Sequence, residues 1–278
     1  RMALNYYKNE LKENAQLLAS KGKGILAVDE STKTVGKRLA GIGVENTEDN
    51  RKAYRGMLFT TEGLGKYISG AILFEETLYQ NHQDGESMVK KLNDLGIIPG
   101  IKVDKGLNPL PGGGDVETFC SGLDGLVERA AKYYEQGARF AKWRAVLQIT
   151  NDGCPSKLSI QENAWGLARY ARSVQESGLV PIIEPEILMD GDHTIEKTAE
   201  VQEEVIKQVY IACQANGVFL EGTLLKPSMT VNGADCPTKA DPMKVAEMTI
   251  RTMERCVPAS VPGIVFLSGG LSEEAASV

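Results

Sequence analysis

A chain of 278 residues, 42% hydrophobic and 24% charged, is long enough to bury a substantial core, so its composition excludes a disordered chain. The formal net charge of -6, without any run rich in lysine and arginine, excludes the electrostatic signature of nucleic-acid or anionic-membrane binding. Five scattered cysteines without a CxxC pair predict neither a disulfide framework nor a zinc ribbon, and no apolar run is long enough to span a membrane.

Seven short apolar runs along the chain have the character of β-strands. They alternate with stretches of helical periodicity, several of which end at a glycine suited to a helix C-cap. Buried strands with helical crossovers predict a parallel α/β sheet, and roughly 40 residues per unit favour a (β/α)₈ TIM barrel. The predicted strands are 24–27, 68–74, 97–103, 139–146, 180–187, 218–225 and 263–267; the predicted helices include 123–136, 163–176, 194–215 and 242–255, with Gly137, Gly178 and Gly217 as caps.

A doubly wound sheet is the main alternative to the barrel. Against it, no glycine-rich dinucleotide turn follows the first strand, and polar residues end nearly every strand instead of clustering at one switch point. Only residues 268–278 follow the seventh strand, and an open barrel would expose two unpaired edges. We therefore expect residues 1–278 to form a single barrel domain that lacks the eighth strand-helix unit and C-terminal tail of a longer chain.

Charged side chains interrupt the apolar runs near the predicted strand ends. In a parallel barrel the carboxyl ends of the strands meet at one mouth, so these side chains are expected to converge on a pocket. For any one of them a structural ion pair is an equally good interpretation, but their joint placement favours a site. The residues are Asp29, Glu75, Lys102, Asp104, Lys142, Arg144, Glu184, Glu186, Glu221 and Lys226.

Lys226 is the best candidate for a nucleophile. A lysine attacks a ketone only as the neutral amine, a form favoured by desolvation or by a neighbouring cation. Lys226 ends the apolar run 220–225 and is expected to face Lys142 across the mouth, which meets both conditions. The carbinolamine formed by this attack must lose water, which needs a carboxylic acid; Glu184 and Glu186 are the candidates.

Asp29, at the end of the first strand, offers a further carboxylate for the proton that moves when a carbon–carbon bond breaks. A helix cap or turn is the competing interpretation, because residues 30–32 (Glu-Ser-Thr) follow directly.

Two places suit phosphate groups. Ser31 and Thr34 follow the first strand, and residues 268–270 (Ser-Gly-Gly) follow the seventh, where glycines let backbone N–H groups face an anion. Positive charge for such anions comes from Arg38, Arg51 and Lys102, although each one alone also suits a surface or ion-pair role.

Metal and cofactor chemistry is not predicted. A zinc-dependent enzyme needs several histidine ligands, whereas the chain has only His82 and His193, in different connections. Neither a phosphate-binding GxxxxGK[ST] loop, nor a GxGxxG turn in the right context, nor a serine nucleophile elbow is present. We expect neither a metal nor a cofactor.

Seven segments, in order along the whole chain, resemble the signature blocks of class I fructose-bisphosphate aldolase, the eukaryotic-type, Schiff-base-forming family. The blocks are 22–31 (GKGILAVDES), 72–77 (ILFEET), 99–106 (PGIKVDKG), 139–144 (RFAKWR), 180–186 (VPIIEPE), 220–227 (LEGTLLKP) and 266–270 (FLSGG).

This resemblance implies catalytic roles for five residues. Lys226 corresponds to the Schiff-base lysine and Glu184 to the acid/base of iminium formation. Asp29 corresponds to the residue that handles the proton of the C4 hydroxyl. Lys142 matches a positioning lysine near the scissile carbons, and Glu186 a supporting carboxylate.

The resemblance also implies two phosphate sites. Ser268 and Gly269 match one of them, and Ser31, Thr34 and Arg38 match the other; Lys102, Arg51 and Arg144 are the remaining substrate contacts. Lys33 and Thr34 stand where many members have glycine and then serine, a departure expected to alter how the second phosphate sits.

The implied function is reversible, metal-independent cleavage of fructose 1,6-bisphosphate to dihydroxyacetone phosphate and glyceraldehyde 3-phosphate. The implied assembly is a homotetramer, located in the cytoplasm, with the plastid as the alternative. Two other functions stay open. One is a sugar aldolase of the same fold that acts on a monophosphate, and the other is a non-catalytic scaffold that binds partners such as actin.

Overall fold

A computed structural model of the protein describes residues 2–277, in which helices follow strands along most of the chain. The strands are β1 (Gly24–Val28), β2 (Ile68–Leu73), β3 (Ile98–Lys102), β4 (Leu107–Pro109), β5 (Thr118–Cys120), β6 (Phe140–Leu147), β7 (Val180–Ile187) and β8 (Leu224–Leu225). The helices are α1 (Met2–Leu18), α2 (Thr32–Ala40), α3 (Glu48–Phe59), α4 (Glu75–Leu78), α5 (Met88–Asp94), α6 (Leu126–Glu135), α7 (Lys157–Gln175), α8 (Ile195–Ala215), α9 (Pro242–Cys256) and α10 (Glu273–Ser277), with 3₁₀ turns at Leu64–Lys66 and Leu220–Gly222.

Six strands form one parallel sheet in the order β1-β2-β3-β6-β7-β8. The segment 264–267 continues this order beside β8, because Val265 N–H donates to the carbonyl of Leu225 (2.9 Å) and Leu267 N–H to that of Pro227 (3.2 Å). β4 and β5 form a separate antiparallel hairpin between β3 and β6. The curled parallel sheet with helical crossovers confirms the barrel-type fold.

The inner face of the sheet carries an apolar layer at the amino ends of its strands. Ile72, Phe140, Ile182 and Leu224 form one buried cluster with Leu4, Leu11, Ala15 and Leu18 of α1. Helix α1 therefore closes the amino end of the sheet. The alternate strand residues, such as Ala71, Ile183 and Leu225, belong to a second cluster with the crossover helices.

Two glycines make room for the Phe140 ring within this layer. A Cβ on Gly100 would lie 2.2 Å from the ring, and a Cβ on Gly70 would lie 3.0 Å from it. A side chain at Gly100 is excluded unless the ring moves, and one at Gly70 is excluded unless Leu18, 2.5 Å from the added Cβ, moves as well.

The crossover helices begin and end as their sequences predict. Thr194 and Asp241 cap α8 and α9, each accepting a hydrogen bond from the third backbone N–H that follows. Gly137, Gly178 and Gly217 have φ of 109°, 82° and 65°, which suits glycine after a helix.

Two predicted strands are shorter in the structure than in the sequence prediction. In 218–225, the side-chain hydroxyl of Thr223 bonds back to the carbonyl of Leu220 (2.8 Å) and residues 220–222 form a 3₁₀ turn, so only Leu224–Leu225 remain extended. Glu221 therefore lies exposed before the strand, not at the mouth. The segment 263–267 pairs through two isolated bridges, Leu225 with Ile264 and Ser228 with Leu267.

Candidate active site

A polar layer lies directly above the apolar layer on the same inner face. Side chains two residues apart on a strand share a face, so Lys142 lies above Phe140, Glu184 above Ile182 and Lys226 above Leu224. On the inner face, apolar side chains are thus followed by charged ones two residues further along each strand. These are the carboxyl ends of the strands, where barrel enzymes carry their chemistry.

The charged side chains of this layer form a continuous row of ion pairs. Lys226 Nζ lies 2.9 Å from Glu184 Oε1, and Lys142 Nζ lies 3.3 Å from Glu184 Oε2. The same Lys142 Nζ lies 2.6 Å from Asp29 Oδ2, a contact that reaches across the mouth from β6 to the end of β1. All four side chains are at most 12% exposed, so the charges interact in a poorly solvated environment.

Lys142 is held as a cation by its neighbours. Burial alone would lower the pKa of its amine, but the carboxylates of Asp29, Glu184 and Asp104 outweigh burial and raise the pKa above the ordinary lysine value. Lys142 is therefore suited to holding a fixed positive charge and not to attacking a carbonyl.

The relation between the two lysines differs from the sequence prediction in one respect. Lys142 does not face Lys226 directly, because Glu184 on the intervening strand β7 accepts from Lys226 and pairs with Lys142 through its two oxygens. What Lys226 meets first is a carboxylate at hydrogen-bond distance, a group able to take its proton.

A cleft of about 280 Å³ opens beside this row. Its walls bring together residues from the ends of β1, β3 and β6 and from the start of α2. The lining includes Asp29, Glu30, Ser31, Thr34, Lys102, Asp104, Lys142 and Arg144. Seven of these are predicted strand-end or phosphate-site residues, and the cleft gathers them in one place.

Helix α2 begins at the edge of the cleft. Ser31 is its N-cap and accepts from the Thr34 N–H (3.3 Å), and the hydroxyls of Ser31 and Thr34 lie 3.0 Å apart. Arg38 is one turn further along and shares their face of the helix, since residues three or four apart are neighbours. A helix N-terminus with two hydroxyls and an arginine on one face suits an anion.

All three predicted arginines pair with carboxylates, and Arg38 Nη1 lies 2.6 Å from Glu30 Oε1. Arg51 binds Glu76 through two nitrogens (2.9 and 2.6 Å) and Asn46 through the third, outside the lining of the cleft. Arg144 donates from Nε to Glu186, which draws both to one side of the mouth. The structure thus brings Arg144 and Glu186 to the site but places Arg51 behind it.

Ser268 and Gly269 follow the segment that pairs with residues 225–228. They form an exposed turn with Gly269 at φ 60° and Gly270 at φ 101°. This turn lies on the Lys226 side of the mouth, whereas α2 begins on the Asp29 side. The two predicted phosphate-binding segments therefore follow strands at opposite ends of the strand order.

Asp104 lies at the site, although no individual role was predicted for it. It lies just beyond β3, is 8% exposed, and its Oδ1 lies 2.8 Å from Lys102 Nζ. Its other oxygen accepts from the Arg144 N–H at 3.4 Å. The signal was the Lys-Val-Asp spacing of residues 102–104, which puts both charges on one face of the strand.

Among residues 2–277, no three histidine, cysteine or acidic side chains come together in a way that could hold a metal ion. Within the same residues, no helix is long and apolar enough to cross a membrane.

Comparison with known proteins gives a consistent result over nearly the whole chain. The family model described as fructose-bisphosphate aldolase class-I matches residues 10–278. Fructose-bisphosphate aldolase 3, chloroplastic, of Arabidopsis thaliana is 58% identical over 272 residues, covering 98% of this chain and 69% of the relative. Fructose-bisphosphate aldolase 1 of Toxoplasma gondii is 59% identical, covering 97% of this chain and 74% of the relative.

Solved structures agree with the sequence relatives. The fructose-bisphosphate aldolase of Plasmodium falciparum, solved in complex with TRAP and a small-molecule inhibitor, superposes with a TM-score of 0.96 at 55% identity. The match covers 98% of this chain and 78% of that one.

Proposed function

Because the chain belongs to the class I fructose-bisphosphate aldolase family, we propose that it cleaves fructose 1,6-bisphosphate reversibly through a Schiff base on Lys226. The products are dihydroxyacetone phosphate and glyceraldehyde 3-phosphate. The observation that carries this assignment is the row Lys226, Glu184, Lys142 and Asp29 at the carboxyl ends of the strands.

Lys226 begins the reaction. Its proton passes to Glu184, 2.9 Å away, and the neutral amine attacks the C2 ketone to form a carbinolamine. Glu184 then returns a proton to the departing hydroxyl, so that water leaves and an iminium forms. A single carboxylate in contact with the nucleophile serves both proton transfers.

Cleavage of the C3–C4 bond follows. Asp29 accepts the proton of the C4 hydroxyl, the C4–O unit becomes the aldehyde, and the bond electrons move into the iminium to give an enamine. Lys142 is 2.6 Å from Asp29, and its fixed positive charge stabilises the negative charge that develops on the C4 oxygen. Protonation at C3 and hydrolysis release dihydroxyacetone phosphate and restore Lys226.

The positions of the two phosphate sites follow from the substrate itself. C1 is bonded to the ketone carbon C2, so its phosphate stays near Lys226, and we assign it to Ser268 and Gly269. The C6 phosphate lies beyond C4 on the Asp29 side, and we assign it to Ser31, Thr34 and Arg38. Two anchors at opposite ends hold the scissile bond over the row of charges.

The remaining predicted contacts bind the substrate or support residues that bind it. Lys102 lines the cleft and Arg144 approaches it with Glu186 as partner, so we assign both to the substrate and Glu186 to orienting Arg144. We assign Arg51 an indirect role, through its pair with Glu76 behind the cleft.

Borohydride trapping with dihydroxyacetone phosphate tests the proposal. Reduction of the iminium fixes one substrate molecule to the protein, and we expect intact mass and peptide mapping to place it on Lys226. Lys226→Met should abolish the adduct while Lys197→Met, at a half-exposed helix lysine, leaves it intact. An adduct that persists in Lys226→Met would assign the nucleophile to Lys142 or Lys102, and no adduct on folded wild-type protein would favour a non-catalytic scaffold.

We also propose that residues 1–278 form a single barrel domain and that the protein assembles as a homotetramer, which light scattering coupled to size-exclusion chromatography tests. For location, relatives from Arabidopsis are named chloroplastic, whereas relatives from Toxoplasma and Plasmodium at similar identity are not. We keep the cytoplasm as the proposal and the plastid as its alternative, which fractionation of the source cells distinguishes.

A further inference from the structure

Glu30 lies between the proton acceptor Asp29 and the helix cap Ser31, and it pairs with a phosphate-site residue. Its Oε1 lies 2.6 Å from Nη1 of Arg38. The Glu30 side chain is 9% exposed, whereas that of Arg38 is 61% exposed. A nearly buried carboxylate therefore holds the exposed arginine that was assigned to the C6 phosphate.

A fully buried arginine lies on the other side of Glu30. Arg55 donates from Nη2 to the main-chain carbonyl of Glu30 at 2.6 Å, while the carboxylate Oε2 of Glu30 is 4.0 Å away. Within residues 2–277, neither that Oε2 nor Arg55 Nε, both buried, has a hydrogen-bond partner. Because buried polar atoms without partners are costly, this pair favours a second position in which the Glu30 carboxylate moves closer to Arg55.

The surrounding cluster contains three arginines. Arg38 and Arg55 lie within 4.0 Å of Glu30, and Arg51 and Arg55 lie within 4.0 Å of Glu76. When the carboxylate of Glu30 turns inward, it stays beside Arg55, and Arg38 loses the carboxylate that pairs with it. That cation then lies on the same face of α2 as Ser31 and Thr34.

Resting on the proposed function, we propose that Glu30 lowers the preference for bisphosphate over monophosphate by competing with the C6 phosphate for Arg38. In the free protein the Glu30 carboxylate binds Arg38. A phosphate at Ser31 and Thr34 displaces it, and Glu30 turns toward Arg55. Only a substrate that carries the second phosphate has to displace Glu30, so Glu30 weakens binding of the bisphosphate and leaves the monophosphate unaffected.

A purely structural role for Glu30 makes a different prediction. If Glu30 only neutralised Arg55, its loss would disturb the start of α2 and affect all substrates alike, including those without a C6 phosphate. The ratio of the two KM values separates these roles, because a general disturbance cancels in the ratio.

The test compares the KM for fructose 1,6-bisphosphate with that for fructose 1-phosphate in four proteins: wild type, Glu30→Gln, Arg38→Gln and the double variant. We expect Glu30→Gln to lower the bisphosphate KM about two- to fivefold, the range of an ion pair with one exposed partner, without changing the monophosphate KM. Arg38→Gln should raise only the bisphosphate KM, and in its background Glu30→Gln should have no further effect. Asp49→Asn, which removes a negative charge from an exposed pair on α3, is the matched control and should leave both values unchanged.

Glu30→Asp provides a second variant in case Glu30→Gln leaves Arg55 too poorly compensated to fold. It keeps the charge beside Arg55 but shortens the reach to Arg38, so the bisphosphate KM should again fall. Equal changes in both KM values, or a gain that persists with Arg38→Gln, would overturn the proposal.

Inorganic phosphate separates failure of this inference from failure of the proposed function. If neither sugar is cleaved by wild-type protein, the aldolase assignment fails, but phosphate-induced stabilisation against thermal unfolding still measures competition for Arg38. Glu30→Gln should increase that stabilisation, and only while Arg38 is present. An increase that is absent, or that survives loss of Arg38, would refute the competition.

Discussion

The two layers on the inner face of the sheet share the same strands but differ in the chemistry of their side chains. At the amino ends, Phe140, Ile182 and Leu224 are fully buried and pack against α1. Two residues further along the same strands, Lys142 and Glu184 are buried as well, but as charged groups that form an ion pair. Burial alone therefore does not separate core from site. The apolar layer stabilises the fold, whereas the charged layer carries a desolvation cost at the strand ends where barrel enzymes place their catalytic groups.

The largest expected effect belongs to the charged layer. Glu184→Gln removes the group that we propose moves protons to and from Lys226, and we expect kcat to fall by about 10²- to 10⁴-fold. Some stability is also lost, because Lys142 and Lys226 then share fewer carboxylates, so the rate must be expressed per folded molecule. Single-turnover trapping of the Schiff base should slow by a similar factor.

Glu203→Gln is the matched control, because Glu203 lies on α8 in a surface pair with Arg255. It should keep wild-type kcat. A wild-type rate of Schiff-base formation in Glu184→Gln would transfer the acid/base role to Glu186.

Phe140→Ala should produce the opposite result in the apolar layer. Removing a fully buried ring between α1 and the sheet is expected to lower the free energy of unfolding by about 3–5 kcal/mol. Denaturant unfolding measures this loss, and kcat per folded molecule should change little because the ring contacts the closed end. A large loss of kcat at wild-type stability would show that the two layers are not independent.

Gly100→Ala adds volume to the apolar layer, where Phe140→Ala removes it. The new Cβ would lie 2.2–2.4 Å from three atoms of the Phe140 ring, so we expect a loss of about 1–3 kcal/mol. Combining it with Phe140→Leu should restore part of the stability, since a smaller side chain makes room for the methyl group. If the double variant is simply the sum of the two single variants, ring contact is not the cause.

The sequence predicted the inner-face pattern well because that pattern depends on strand alternation alone. Lys142, Glu184 and Lys226 follow apolar residues at a spacing of two, and each side chain lies where that spacing puts it. The shortening of 218–225 was not predictable, because it depends on local bonding at Thr223 that competes with sheet pairing.

Side-chain contacts between segments far apart in the sequence could not be predicted either. Arg51 was expected at the substrate but is bound by Glu76, which is 25 residues away and reaches it only because α3 and α4 meet behind the cleft. The sharing of Glu184 between two lysines likewise requires the positions of three strands at once. The partner in an ion pair depends on which side chains of neighbouring helices and strands can reach one another. The spacing of residues along one strand does not contain this information.

The smallest expected effect tests that supporting pair. The hydrogen bond from Arg51 lowers the pKa of Glu76 below its ordinary value of 4.5. As the pH falls, the Glu76 carboxylate is therefore protonated in the unfolded chain before it is protonated in the folded protein. The stabilisation of the folded state by this ion pair is complete above pH 4.5. It is lost as the pH falls from 4.5 through the lower pKa of Glu76 in the folded state. Glu76→Gln should flatten the unfolding free energy in that acidic range, by less than about 1 kcal/mol because the pair is partly solvated.

Glu128→Gln, at an exposed position on α6, should leave the acidic slope unchanged. Urea unfolding at a series of pH values measures both variants. An identical slope in wild type and Glu76→Gln would mean that the pair is equally stable in its protonated form, and Arg51 would then owe its position to Asn46 and packing instead of to the carboxylate.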